Sequence, residues 1–267
     1  MEAKEILIHR LRDFDAVFRS KNKINLLKYV IIRQFIKLFG VDEKKWINMI
    51  KKNSLKFLGY NFLTRPKTID FLFCSRFYEP EFTKFILNKK GKIFLDIGAH
   101  IGRFSLLASK NFERVISFEP HSENFAQLKK NILSNKLENI IPLNLAISNK
   151  IKYLYMSNLN VNTGASQIKE KGDKKVKCLT LDSIIKKEKI KIHEIDLIKI
   201  DVENHEMNVL KGAKKLLKEG KPILIIESFI SNFEKVKKIL NKFGFVKTKT
   251  FDFYNHVFEK INETKIH

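Results

Sequence analysis

Three short stretches of this chain place acids, glycines and a histidine at spacings that could bind a ligand and act on it. The first is Asp96-Ile-Gly-Ala-His-Ile-Gly102, which continues the apolar run Lys92-Ile-Phe-Leu-Asp96. A strand-like run, an acid, two spaced glycines and then a helical stretch describe a nucleotide-binding turn. Glycine lacks Cβ, so the backbone can bend sharply and approach a ligand closely. The spacing differs from the Gly-x-Gly-x-x-Gly of pyrophosphate-binding turns, and Asp96 would repel a pyrophosphate. The same acid would attract a ligand that carries a sulfonium and an ammonium. A purely structural turn is the plain alternative.

The second stretch is Arg114-Val-Ile-Ser-Phe-Glu119. Its terminal Glu119 falls about twenty residues beyond the turn, where doubly wound folds set an acid on a ribose. One carboxylate can accept both ribose hydroxyls; a solvated acid at a strand end is the plainer reading. The third is Lys199-Ile-Asp-Val-Glu-Asn-His-Glu206, at the end of an apolar run where open α/β sheets bind ligands. Displacement at carbon needs an acceptor held in line and often a base for its proton. Asp201, Glu203 and His205 are the candidates for those tasks. Glu206 could simply favour the start of the next helix. Acids and a histidine this close could also hold a divalent cation; that alternative stays open, and no metal site is assigned.

The elements that must position these residues follow from the pattern of apolar runs. From about residue 80, short apolar runs alternate with helix-length amphipathic segments, the mark of a parallel α/β sheet. The runs are 92–96, 114–119, 140–146, 195–201 and 222–227, and helical stretches at 104–111, 122–135, 205–217 and 232–243 follow most of them. The third run leads instead into a polar insert, Ser148 to Lys177, with strand-like Ile151-Lys-Tyr-Leu-Tyr155 inside it. Its segment 158–166 is polar and contains a glycine, so it could close over a substrate or serve as a plain surface loop. Near the C-terminus, 245–253 and 256–260 flank Tyr254-Asn255 and suggest an antiparallel edge hairpin. Residues 1 to about 60 read as helical. The segment 24–39 is apolar with charges at Lys28, Arg33 and Lys37, which fits a buried helix or a basic helix lying on a membrane surface. Gly40 ends it, and Asp42-Glu-Lys-Lys-Trp46 starts another helix.

Bulk properties set the limits. At 267 residues and 44% apolar content the chain can bury a sizeable core. Cys74 and Cys178 stand far apart, which argues against a disulfide framework or a zinc site. The first residues, MEAKEILIHRLRDFD, mix acids and bases and do not read as a signal peptide. No stretch reaches the length needed to span a bilayer, so the expected compartment is the cytoplasm. The net charge of +23 favours anionic partners, although lysine is spread along the whole chain rather than gathered in one block.

Together these residues resemble the FkbM-type methyltransferases, from about Phe77-Tyr-Glu-Pro-Glu81 to Glu227 and more weakly beyond. The resemblance rests on Leu95-Asp-Ile-Gly-Ala-His-Ile-Gly102, Ser117-Phe-Glu-Pro120, Asn131, Asn144-Leu-Ala-Ile-Ser148, Leu179-Thr-Leu-Asp182, Ile198-Lys-Ile-Asp-Val-Glu203, Leu210-Lys-Gly212 and Ile226-Glu227. It implies a class I fold: a seven-stranded, mostly parallel sheet with an antiparallel C-terminal edge hairpin over residues 76–267, here with a helical extension over residues 1–75. It implies S-adenosylmethionine as cofactor, with Asp96, Gly98 and Gly102 along its methionine and ribose and with Ala99 and His100 between them. Glu119 would take the ribose hydroxyls, His121 would lie beside the adenosine, and Asn144 and Ala146 would approach the adenine. Asp201 and Glu203 would face the methyl group and its acceptor. Two departures stand out. The usual Asp-Val-Glu-Gly-Ala/Ser-Glu reads Asp201-Val-Glu-Asn-His-Glu206, and His100 stands where asparagine is commoner. Asn204 tolerates a left-handed backbone better than most residues, while His205 would narrow the acceptor pocket or add a base.

The resemblance implies O-methylation of a hydroxyl on a sugar, glycolipid or small metabolite, with a saccharide or other small molecule as partner. Nucleic acid is the runner-up partner, on the strength of the charge, without a recognisable RNA-binding module. A cofactor-binding homologue without catalysis is the third reading. A dehydrogenase fails on glycine spacing and on Asp96.

Overall fold

The computed structural model describes residues 51, 53–76, 78–156, 167–172, 174–251 and 254–261. The helices expected at 24–39 and from residue 42 lie outside the described residues, as does the segment 158–166. The first described elements correct the helical reading of residues 1–75 over their own length. β1 (Asn53–Phe57) and β2 (Tyr60–Thr64) form an antiparallel hairpin, followed by a short 3-10 helix at Asp70–Cys74. The turn between the strands has Leu58 at φ 48° and Gly59 at φ 89°, the two successive positive values that match the twist of a tight hairpin. Leu55, Phe57 and Phe62 are fully buried, so the apolar period here is that of a strand.

After α1 (Pro80–Leu87) the chain enters the main sheet at its centre, with β3 (Gly91–Ile97), α2 (Arg103–Ala108), β4 (Phe112–Phe118), α3 (Ser122–Ser134) and β5 (Ile140–Leu143). It then builds a second sheet from β6 (Ala146–Ile147), β7 (Lys152–Met156), β8 (Ile168–Lys169) and β9 (Lys174–Leu179). It returns through α4 (Leu181–Lys187), β10 (Ile195–Ile200), α5 (Glu206–Lys211), α6 (Lys214–Glu219), β11 (Ile223–Glu227), α7 (Ile230–Asn241), β12 (Phe245–Phe251) and β13 (Asn255–Lys260). The main sheet has seven strands in the order β12-β13-β11-β10-β3-β4-β5. All neighbours from β11 to β5 are parallel, and β13 runs antiparallel between β11 and β12. This is the mostly parallel sheet with a C-terminal hairpin that the resemblance implies.

The central strands read as apolar runs because both faces are covered. Phe94 packs with the β1–β2 hairpin, α1 and α2 on one face. Its neighbours Ile93, Leu95 and Ile97 pack with α4 to α7 on the other. The third run splits: β5 stays in the main sheet, while β6 leaves it to pair with β9. Around β6 the expected polar insert becomes a four-stranded sheet in the order β6-β9-β7-β8. No helix among the described residues is long and apolar enough to cross a membrane.

Chain order and sheet order part company between β3 and β10. From β3 the chain moves outward to β4 and β5, then returns to the opposite side of β3 as β10. The loops leaving β3 and β10 therefore diverge and open a crevice at the carboxyl ends of the strands, the usual ligand position in such sheets.

Candidate functional site

A cavity fills that crevice. It encloses about 1050 Å³ counting its open mouth, and the turn after β3, the ends of β4, β10 and β11, and the small sheet line it. Its wall includes Gly98, Ala99, His100, Glu119, Asp201 and Glu203. Phe118, Leu145, Ala146 and Ile147 give it an apolar side, closed by Met156 and Ile168 of the small sheet.

The turn after β3 is fixed by glycine geometry. Gly98 has φ 86°, and a Cβ there would fall 1.7 Å from the Asp201 carbonyl oxygen. A side chain at this position would force β3 and β10 apart at their ends. The backbone N–H groups of Gly98 and Ala99 both donate to the Phe118 carbonyl, at 2.9 and 3.0 Å, which ties the turn to β4. His100 is left-handed at φ 51°, and its backbone N–H donates to Glu119 Oε2 at 2.8 Å.

Glu119 is the hub on the β4 side. Its Oε1 accepts from the His121 backbone N–H at 2.8 Å and from Asn124 Nδ2 at 3.4 Å. Burial raises its carboxyl to about 7, against the pull of those donors. A buried carboxylate on a cavity wall is stabilised by any further donor brought to it. Asn144 fixes the loop beneath, donating from Nδ2 to the carbonyls of Glu119 and Pro120 at 2.8 and 3.2 Å.

Asp96 does not reach the cavity. It is fully buried, accepting from Ser105 Oγ at 2.5 Å, and its Oδ1 stands 3.7 Å from Lys199 Nζ. The register explains this: Asp96 lies opposite both Ser117 of β4 and Lys199 of β10, so the three side chains share one level on one face. Lys199 also holds Asp201 Oδ2 at 2.9 Å and donates to the Gly98 carbonyl at 3.3 Å. Burial works against its charge, but Asp201 and Asp96 outweigh that and raise its pKa. Lys199 is thus the pin joining the first glycine turn to the end of β10.

The β10–β11 end of the cavity is acidic. Asp201, Glu203 and Glu227 line it, with Tyr78 beside them. Glu79 stands behind, 93% buried, with Oε1 accepting from Asn255 Nδ2 at 3.2 Å. Burial, then Asp201, raises both Glu203 and Glu79 to about 7. Burial, Asp201 and Glu79 push Glu227 up to about 11. Glu203 and Asn204 are both left-handed, at φ 49° and 74°. Such backbone costs about 1–3 kcal/mol per non-glycine residue and gathers at functional sites. It is held by the Asn204 N–H donating to Glu206 Oε1 at 2.8 Å and by Asn232 Nδ2 donating to Asn204 Oδ1 at 3.0 Å.

Of the residues expected from sequence, Gly98, Ala99, His100, Glu119, Ala146, Asp201 and Glu203 meet on one cavity. Asp96, Gly102, His121 and Asn144 stand behind its wall. Gly102 starts α2 at φ 92°, with Leu128 against the place of a Cβ. His121 is buried just before α3, where neither ring nitrogen has a hydrogen-bond partner among the described residues. His205 does not line the cavity. Its Nε2 is 3.0 Å from Ser148 Oγ and its Nδ1 is 3.2 Å from Asn208 Nδ2, and burial lowers its pKa to about 4. That ring joins α5 to the end of β6 rather than facing an acceptor. Among the described residues, no group of three or more His, Cys, Asp or Glu is placed to hold a metal ion.

The sequence reading missed Lys199, Glu79 and Arg103. Arg103 is 96% buried and reaches across the cavity edge: it donates to the Phe73 carbonyl, and to the Tyr78 carbonyl and Thr83 Oγ1 at 2.9 Å each. A lysine inside an apolar strand was the one visible signal for Lys199, since a buried charge requires partners. For Glu79 the signal was its place in Phe77-Tyr-Glu-Pro-Glu81, where the resemblance begins; Arg103 gave none.

Comparison with known proteins gives a family match and several relatives. The family model described as Methyltransferase FkbM domain matches residues 96–247, more than half of the chain. The hexuronic acid methyltransferase AglP of Haloferax volcanii is 26% identical over 136 residues, covering 50% of this chain and 54% of that protein. Among solved structures, methyltransferase FkbM from Methylobacillus flagellatus KT aligns at 18% identity and a TM-score of 0.44, over 64% of this chain and 43% of that one. M. jannaschii TYW2 in complex with AdoMet aligns at 16% identity and 0.44, over 79% and 88%. This chain spans about half the length of AglP and less than half of the M. flagellatus protein.

Proposed function

This chain belongs to the FkbM methyltransferase family, and from that premise we propose that it transfers a methyl group from S-adenosylmethionine to an uncharged hydroxyl of a sugar or a sugar-bearing molecule. The observation that carries the reading is the polarity of one cavity. A buried carboxylate that calls for donors, Glu119, stands on β4, and an acidic wall stands at β10 and β11. Four adjacent strands at about 4.8 Å apart separate the two ends by roughly 14 Å. A ligand with ribose hydroxyls at one end and cationic groups at the other suits that polarity. The residues present therefore fit the cofactor.

Bound there, S-adenosylmethionine would supply an electrophilic methyl on a positively charged sulfur, which departs as a neutral thioether. The chain's own residues would do the rest. Glu119 would accept the ribose hydroxyls, and Phe118, Leu145 and Ala146 would pack the base. Gly98 lets the backbone pass close to the ligand, and Lys199 keeps the turn against Asp201. Glu203, raised to about 7 and carried on a strained loop, would orient the acceptor hydroxyl and take its proton. A base with its pKa near neutrality is the best compromise between being ionised and being basic.

The acidic wall bears on the acceptor. Asp201 and the ionised form of Glu203 would repel a carboxylate or phosphate brought to the same place, whereas a hydroxyl donates to them. AglP, by its name, acts on a hexuronic acid; here the reacting group would be a neutral hydroxyl. The test is calorimetry with S-adenosylhomocysteine, followed by transfer of labelled methyl to neutral glycosides and to a glucuronide. Binding that survives Glu119→Ala unchanged would overturn the cofactor site. Transfer to the glucuronide carboxylate would overturn the assignment of the acceptor.

A further inference from the structure

The small sheet presents two unlike faces. Its inner face carries Leu154, Met156, Val176 and Cys178, all buried, and Met156 and Ile168 form part of the cavity wall. Strand alternation sends the intervening residues outward. Register then sets Tyr153 opposite Lys177, and Tyr155 between Lys175 on β9 and Lys169 on β8. The three lysines are exposed, and Tyr153 keeps 58% of its surface in solvent. Lys175 Nζ lies 4.5 Å from the Tyr153 ring centroid, so a cation and an aromatic face are offered together. Two acids beside this sheet pair with lysines that alternate with the outward residues on the same strands: Glu170 with Lys152 at 3.6 Å and Glu123 with Lys174 at 2.8 Å.

We infer that this outer face is a docking surface for an anionic saccharide chain, the carrier of the hydroxyl that is methylated in the cavity behind it. The inference rests on the proposed function for the choice of a saccharide, and on charge complementarity for the surface itself. Lys175 and Lys177 are two residues apart on one strand, so their stems stand about 7 Å apart; Lys175 and Lys169 flank β7 at about 10 Å. Such spacings suit anionic groups repeated along an extended chain. The tyrosine rings between them give flat apolar surface for the C–H faces of sugar rings. A lipid surface would call for exposed Leu, Phe or Trp on this face; among the described residues its exposed side chains are Lys169, Lys175, Lys177 and Tyr153, with Ile151 just before β7. Continuity argues for a link with the reaction, since β8, which bears Lys169, and β7, which bears the tyrosines, wall the cavity on their other side through Ile168 and Met156. The acidic cavity then takes only the neutral hydroxyl, while the basic face takes the charge of the chain that bears it.

The experiment measures binding of the full chain to polygalacturonate by affinity electrophoresis. Neutral dextran, single-stranded RNA and phosphatidylglycerol vesicles are the comparison ligands. Polygalacturonate should bind and dextran should not. Lys175→Glu with Lys177→Glu should weaken polygalacturonate at least 10-fold, and Tyr153→Ala with Tyr155→Ala several-fold, with circular dichroism unchanged. Because +23 attracts any polyanion, Lys247→Glu with Lys249→Glu on the exposed edge strand β12 serves as the control of equal charge and should cost less than 2-fold. The inference is overturned if wild type fails to bind, or if both reversals act equally. It is also overturned if RNA or vesicles bind through Lys175 and Lys177 more tightly than the saccharide. Calorimetry with S-adenosylhomocysteine on the same variants keeps the two readings apart. Absence of cofactor binding beside intact saccharide binding would sink the proposed function alone.

Discussion

The acidic end of the cavity and the basic outer face of the small sheet lie on one molecule, yet their charges behave differently. At the cavity, Asp96, Asp201, Glu79 and Glu227 gather around Lys199 away from bulk water. Charges there interact strongly and shift one another's protonation, because little solvent screens them. On the outer face, lysines of the same sign stand near one another in water, where salt screens them within about 10 Å. The excess of lysine therefore tells little about the chemistry, and the few buried acids tell a great deal. The net charge of +23 describes how the chain meets large partners; the reacting centre is lined by acids gathered about one buried lysine.

The largest effect should come from removing the pin. Lys199→Met leaves Asp96 and Asp201 facing each other without a cation, and breaking a buried pair in this way costs about 3–5 kcal/mol. Urea denaturation should show the loss, and a cost near zero would mean that the buried end is as well solvated as the surface. Glu203→Gln should leave S-adenosylhomocysteine affinity intact and lower turnover by roughly 10²–10⁴, the usual range for a lost general base. Unchanged turnover would remove Glu203 from the mechanism.

Glu227→Gln sharpens the contrast through pH. The folded protein holds a proton on Glu227 up to about 11, and on Glu79, Glu119 and Glu203 up to about 7. The unfolded chain releases them near 4.5. Between those values the folded state binds more protons than the unfolded one, so these groups make stability fall as pH rises. Glu227→Gln should accordingly raise the melting temperature by several degrees at pH 8 and change it little at pH 4.5. Equal shifts at both pH values would contradict a protonated Glu227. Cofactor affinity should drop as pH falls below about 7, where Glu119 takes a proton and accepts hydroxyls less well. The smallest effect belongs to the outer face: Lys175→Glu with Lys177→Glu should alter stability by no more than about 0.5 kcal/mol per site, in contrast to Lys199.

Much of the binding turn was legible because its cause is local. Gly98 and Gly102 have positive φ, a demand of the backbone itself that the chain meets with glycine. The parallel sheet showed itself through apolar runs such as 195–200, which both faces of the sheet bury. The hairpin at 53–64 was misread as helix because Leu55, Phe57 and Phe62 are too few to distinguish a period of two among so many lysines and phenylalanines. The small sheet was missed because β6, β7, β8 and β9 need partners from distant positions: Ala146 pairs with Cys178, and Lys152 with the same residue from the other side. His205 illustrates the converse. Its type and place beside Asp201 suggested a base, but the start of α5 turns its ring onto Ser148, a contact across 57 residues of chain.

The sequence by itself determined the turn, the acid at the end of β4 and the acids at the end of β10, since each depends on residue type at a strand's end. Only the tertiary structure decided which of those groups touch the cavity. Asp96 opens the motif yet is withdrawn beneath it, because register on both sides pairs it with Ser117 and Lys199. Glu79 and Glu227, distant in sequence, join the same buried end because a helix entry and a strand terminus converge there. Short-range backbone geometry is written in neighbouring residues. The charge of a buried site is a sum over elements that only folding brings together.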